Sequence, residues 1–193
     1  MSAEIDYAQE GRLLLERVNL QLDGKPERYA NTNPLYQHPS GGTLFVGNCT
    51  ASTSRPILDS LNITRVVYCQ EGGEGAKPFM ADPNFCYLDF PIGKWRSLVK
   101  RQPEAVLAFF TPLFQFVDEE LAAGRSVLVH CLAGAHRAGT AGVSCLMHLL
   151  KIRAPEATRM AKTLRPAINP IGDFPALLDL LEKGMEQAGQ QLE

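Results

Sequence analysis

A cysteine and an arginine bracket five residues in the run His130-Cys131-Leu132-Ala133-Gly134-Ala135-His136-Arg137. A thiolate is a strong nucleophile and is stabilised by nearby positive potential. A guanidinium can hold two oxygens of one phosphate at once. Between the two, a short loop with a glycine at its middle can turn a row of backbone N–H groups toward one point and cradle an anion. Nucleophile, cradle and clamp within seven residues suit phosphoryl transfer through a cysteinyl-phosphate. The plainer alternative is that Cys131 is a small core residue after a buried strand.

The flanks say what positions the loop. Ser126-Val127-Leu128-Val129-His130 is a short apolar, β-branched run after Gly124-Arg125, and it predicts a buried strand. Ala138 to Leu150 begins with small residues and continues with an apolar helical face. Strand, tight loop, helix start: the helix N-terminus adds its own positive potential to the loop. Elsewhere, short strands at Thr43–Gly47, Thr64–Cys69 and Phe85–Asp89 alternate with helical patterns. Residues 4–22 are helical in spacing, Ser52-Thr53-Ser54 can cap a helix running to about Leu61, and a long helix opens at Pro103. Pro112 should kink or divide that long helix. Further helices begin near Pro155 and Phe174. The alternation predicts an α/β fold with a central, mostly parallel sheet flanked by helices. Ligands of such sheets sit beyond the carboxyl ends of the strands, which is where Cys131 falls.

At 193 residues the chain fits one domain. The expected division is an N-terminal extension over 1–42 (a helix and then a connector rich in Asn, Pro, Gly and Ser), a core domain over 43–187 and a tail over 188–193. Hydrophobic content of 45% and charge of 21% are those of a globular protein. A net charge of −2 gives no reason to expect nucleic acid, and no apolar run approaches membrane-spanning length. The acidic start, Met1 to Asp6, has no basic or apolar leader region. Five scattered cysteines without a Cys-x-x-Cys point to a reducing compartment, cytoplasmic or nuclear. His130, Cys131, His136 and His148 lie close in sequence but lack zinc-finger spacing, so neither a metal nor a cofactor is expected.

Taken together, the segments resemble the cysteine-dependent dual-specificity protein phosphatases over roughly residues 43–182. The loop matches that family's His-Cys-x-Ala-Gly-x-x-Arg. Leu44-Phe45-Val46-Gly47-Asn48, with Leu58, Leu61, Ile63 and Thr64 after it, is similar to its opening strand and helix. Cys86 to Pro91 resembles the strand leading into its acid loop, and Arg165-Pro166 to Phe174 resembles its Arg-Pro-x-x-x-Pro segment. The resemblance implies Cys131 as nucleophile. It implies the backbone of Leu132, Ala133, Gly134, Ala135, His136 and Arg137 as the phosphate site, with Arg137 also as clamp. It implies phosphorylated proteins, kinases among them, as partners. His130 is expected to orient the loop through a hydrogen bond or to sit as a satisfied strand-end histidine, and His136 to lie at the rim. The resemblance further implies that Cys69 could capture an oxidised Cys131 as a disulfide; otherwise Cys69 is a small buried side chain.

Two positions depart from the family. Its acid loop usually has an aspartate three residues after the proline, and here that residue is Lys94. Its arginine is usually followed by Ser or Thr, and here by Ala138. Asp89 is the nearest carboxylate in sequence and the first candidate for the acid, or else a structural residue; Asp82 and Glu74 follow. Lys94, Arg96, Lys100 and Arg101 surround Trp95, as a solvated loop or as a basic rim for anionic substrates. The expected activity is hydrolysis of phosphotyrosine and phosphoserine/threonine. The alternatives are a catalytically weak phosphoprotein-binding module and a phosphoinositide or phosphoglucan phosphatase.

Overall fold

The structure is a computed structural model describing residues 5–21, 29–71 and 77–193, with the helix at 17–21 as backbone alone. Its sheet has five strands among the described residues: β1 (Thr32–Gln37), β2 (Thr43–Gly47), β3 (Ile63–Tyr68), β4 (Cys86–Asp89) and β5 (Ser126–His130). Their order is β1-β2-β5-β3-β4; β1 runs antiparallel to β2, and all other pairs are parallel. Helices are α1 (Tyr7–Gln21), α2 (Cys49–Thr53), α3 (Arg55–Ser60), α4 (Trp95–Leu98), α5 (Pro103–Ala122), α6 (Arg137–Leu150), α7 (Ala154–Leu164) and α8 (Phe174–Gln187). The mostly parallel α/β architecture is the one the alternation predicts.

β5 lies in the middle of the sheet, and every one of its residues is buried. That burial on both faces explains its unbroken Val127-Leu128-Val129 run. Alternation along the strands sorts the side chains. Leu44, Val46, Val67, Val127 and Val129 join a large core with Phe110, Leu113 and Val117 of α5 and with residues of α6 and α8. Phe45, Val66 and Leu128 point the other way, into a smaller core with Ala51, Leu58 and Phe85.

The small residues that open α6 let it sit close to the sheet. A Cβ on Gly142 would stand 2.6 Å from Val46 Cγ2, and one on Gly139 would stand 3.2 Å from Ile168 Cγ2. Eleven residues of α6, Arg137 to Met147, are buried. The loop between β5 and α6 is therefore held at both ends by buried elements.

Two local readings need correction, and one short helix was not expected. Residues 32–37, expected as connector, form β1. Only Leu35 in it is fully buried, and Pro34 is tolerated because β1 is an edge strand. The helix expected after the Ser52-Thr53-Ser54 cap is α3, with Ser54 at its N-cap and Leu61 at its C-cap; the short α2 before it was not expected. Pro56 has no N–H with which to continue α2. Pro112 divides nothing: α5 is one helix of 20 residues, and the proline sits on its exposed side. The connector residues 22–28 lie outside the described residues.

Candidate active site

Cys131 begins the loop at the carboxyl end of β5, and Arg137 ends it as the first residue of α6. Five carbonyls of the loop, Leu132 to His136, are tied outward. Leu132 O accepts from Cys49 N at 3.1 Å, and Ala135 O from Asn169 N at 3.0 Å. Gly134 O accepts from Arg165 Nε at 2.8 Å. Ala133 O accepts from Arg165 Nη2 at 3.3 Å and from the Tyr29 hydroxyl. His136 O accepts from Thr140 Oγ1 at 2.7 Å and from Thr140 N at 2.9 Å. In a planar trans peptide the N–H opposes the carbonyl. Five outward carbonyls thus turn the N–H groups of Ala133 to Arg137 toward the inside of the loop, which is the arrangement an anion needs.

Gly134 is required here. It has φ +63°, and a Cβ on it would overlap the Gly47 carbonyl.

Arg165 is the main fastener, and it is only 1% exposed. Besides the two loop carbonyls, its Nη1 donates to Ala30 O at 2.8 Å and to Asn33 Oδ1 at 2.7 Å. The ring of Tyr29 covers its guanidinium at 5.2 Å. Burial pushes the Tyr29 hydroxyl up to about 12, so it stays a donor to the loop. α1 lies on the same loop: a Cβ on Gly11 would touch Leu132 Cδ2 at 3.4 Å. Sequence reasoning missed Tyr29, Asn33 and Gly11, because they stand a hundred or more residues from the loop they hold.

Cys131 itself is 3% exposed, and it is a free thiol, as is Cys69. Cys69 ends the neighbouring strand, where its N–H donates to His130 O at 2.9 Å. Burial, with Cys131 close by, pushes the Cys69 thiol well above its ordinary range. His130 faces the other side of the sheet, edge-on to the Tyr68 ring with centroids 5.3 Å apart. Burial holds its imidazole neutral, down to about 3, although the Cys131 backbone acts in the opposite direction. Both ring nitrogens are buried, and the Cys131 backbone at the start of the loop is the polar group that acts on them. His136 is buried rather than at the rim, and its Nδ1 donates to Asn169 O at 2.8 Å.

Arg137 is buried, and its Nη1 donates to Glu71 Oε2 at 2.7 Å. The other oxygen of Glu71 accepts the Gly93 N–H at 2.9 Å. Glu71 was read only as part of a loop; the Gly-rich stretch after it hid a carboxylate that reaches the clamp.

The candidate acids are placed otherwise. Lys94 is exposed at the end of a 3₁₀ turn, Ile92–Lys94. Asp89 pairs in register with Tyr68, and Tyr68 with His130, so its side chain belongs to His130's face of the sheet and not to Cys131's. There its carboxylate, 67% exposed, pairs with Lys77. Asp82 binds Arg55 and caps its own turn at Asn84. Glu74 lies outside the described residues. In the basic loop, Arg96 pairs with Asp173, and Arg101 lies 5.7 Å from the centre of the buried Trp95 ring. The structure therefore joins Cys131, the loop backbone and Arg137, and it leaves Asp89 apart. Among the described residues no three His, Cys, Asp or Glu side chains are placed to hold a metal, and no helix is long and apolar enough to cross a membrane.

Known proteins are similar to this chain in sequence and in fold. A profile of the dual specificity phosphatase catalytic domain matches residues 44–183. Dual specificity protein phosphatase 1 of Arabidopsis thaliana is 29% identical over 76% of this chain and 69% of its own length. Human dual specificity protein phosphatase 9 is 31% identical over 76% of this chain but only 38% of its own. A solved mouse dual specificity phosphatase, in complex with zinc tungstate, superposes with a TM-score of 0.64 over 86% of this chain and 96% of that one. At 24% identity, that likeness speaks for the fold alone. Family profile, relatives and the Cys131–Arg137 loop agree: the chain belongs to the dual specificity phosphatase family.

Proposed function

We propose that the chain is a phosphomonoester hydrolase that dephosphorylates phosphotyrosine and phosphoserine/threonine in proteins through a cysteinyl-phosphate. The observation that carries this reading is the set of loop carbonyls fastened by groups outside the loop, which supports amides turned toward the place a phosphate would take beside Cys131. In the first step Cys131 Sγ, as thiolate, attacks phosphorus. The P–S bond forms as the bond to the leaving oxygen breaks, and that oxygen takes up a proton. The amides of the loop and Arg137 hold the three non-bridging oxygens as charge spreads over them. In the second step a water attacks phosphorus, the P–S bond breaks, and phosphate leaves with the thiolate restored.

Cys131→Ser should abolish hydrolysis of a small aryl phosphate. Arg137→Lys should lower kcat/KM at least a hundredfold, because an ammonium cannot make the two-point contact. Undiminished turnover in Cys131→Ser would sink the mechanism.

Lys94 favours a second reading, a slow phosphatase that holds phosphoproteins longer than it hydrolyses them. A general acid contributes about 10²–10⁴-fold, and a cation stands where the family keeps one. Aryl phosphates, whose leaving groups need little help, should therefore be cleaved much faster than phosphothreonine peptides. Lys94→Asp should raise turnover on phosphothreonine peptides at least tenfold. If it does nothing while Asp89→Asn cuts the rate a hundredfold, Asp89 is the acid despite its place on the far face.

A further inference from the structure

Glu71 touches two parts of the site at once. One carboxylate oxygen takes the Arg137 guanidinium at 2.7 Å, and the other takes the Gly93 amide at 2.9 Å. The Arg137 side chain is 2% exposed and that of Glu71 is 13% exposed, so the pair is shielded from water and from screening salt. The carboxylate also fills the space beside Gly93: a Cβ there would stand 2.7 Å from Glu71 Oε1 and 2.9 Å from Oε2. Gly93 has no side chain where one would displace the carboxylate. It belongs to the turn that carries Lys94, the residue at the family's usual acid position.

A flexible guanidinium has several rotamers, and a phosphate clamp works only in the one that meets two oxygens. The fixed end of that clamp is its backbone at the start of α6; the free end needs its own support. Glu71 supplies it from β3's outgoing chain, and ties the same support to the turn across the mouth.

We propose that Glu71 is a positioning residue that sets the guanidinium of Arg137 for the two-point grip and locks the Gly93–Lys94 turn to it. This rests on the phosphatase reading above. Glu71 does not touch the reacting atoms, and its negative charge opposes the incoming phosphate. Its contribution therefore falls on the transition state rather than on the affinity for the anion.

Two variants approach the contact from opposite sides. Glu71→Gln keeps the shape and an oxygen for Gly93 but removes the charge from Arg137. Gly93→Ala leaves Arg137 and Glu71 in the sequence but pushes the carboxylate aside. Each should lower kcat for an aryl phosphate about tenfold or more, while the inhibition constant for inorganic phosphate stays within threefold or tightens. The double variant should be little worse than either single one, because both break one contact. Glu71→Asp, with the charge kept but the reach shortened, should recover less than half of the lost kcat.

Three results would overturn the proposal: kcat within twofold of the parent in Glu71→Gln, fully multiplicative losses in the double variant, or phosphate inhibition weakened as much as kcat. A parent protein without turnover would overturn the hydrolase reading instead. The proposal would then be read from amide exchange at Gly93, which Glu71→Ala should accelerate at least tenfold; unchanged exchange would refute it. Thermal melts of each variant separate these effects from simple unfolding.

Discussion

At the scale of single residues, His130 shows what the signature costs. It sits 1% exposed beside Cys131, with both ring nitrogens buried. Burial is the first cause of a value near 3, against 6.5 for the free group. The unfolded chain therefore binds a proton below pH 6.5 that the folded chain refuses. Stability from this residue is complete above pH 6.5 and is lost as pH falls toward 3. Between pH 7 and 5 the loss should approach about 2 kcal/mol. His130→Phe, which keeps a ring against Tyr68, should flatten that part of the profile in denaturant titrations. An equal drop in parent and variant would assign the acid sensitivity to other groups.

At the scale of elements, α5 carries a built-in weakness. Pro112 deletes the amide that would bond to the carbonyl of residue 108, yet the helix runs on without division. The proline is on the solvent side of the helix. Pro112→Ala should therefore stabilise the protein by about 1–3 kcal/mol, within the range of the interior penalty. Calorimetry would check this, and a fall in melting temperature would show that the ring makes a contact worth more than the lost bond. Elements with strong periodicity were legible in the sequence: β5, α6 and α8 fell where the apolar pattern put them. β1 was not, because an edge strand with one buried residue leaves almost no hydrophobic signal. The cap at Ser54 was legible, but α2 was missed because a five-residue helix with two buried residues leaves almost no periodic signal.

At the scale of the whole molecule, the N-terminal extension is part of the site. Tyr29, Ala30 and Asn33 reach Arg165 or the loop, and β1 closes the sheet beside β2. A chain starting at Thr43 should melt well below the full one, and phosphate or tungstate should no longer raise its melting temperature, as a bound ligand does for a folded site. Equal melting with an equal ligand shift would make residues 1–42 dispensable. The sequence made the local part of the site readable, since Cys131, Gly134 and Arg137 are neighbours along the chain. It could not reveal Glu71, Tyr29 or Asn33, whose partners are distant and whose types are ordinary for loops. Arg165 was visible only as part of a resembling segment, and its role came from the carbonyls it holds.

The fastening of the loop has a consequence for how the protein is made. A chain emerging from the ribosome presents Cys131 before Arg165 and Asn169, the residues that bind its loop from the far side. Ala30 and Asn33 wait for Arg165 as well, since they meet it across 135 and 132 positions of sequence. Contacts of such range form late in folding. The nascent chain therefore carries the Cys131 thiol while its loop is still unfastened. The loop is closed only when Arg165, the residue that follows α7, has been synthesised and has bound the carbonyls of Ala133 and Gly134.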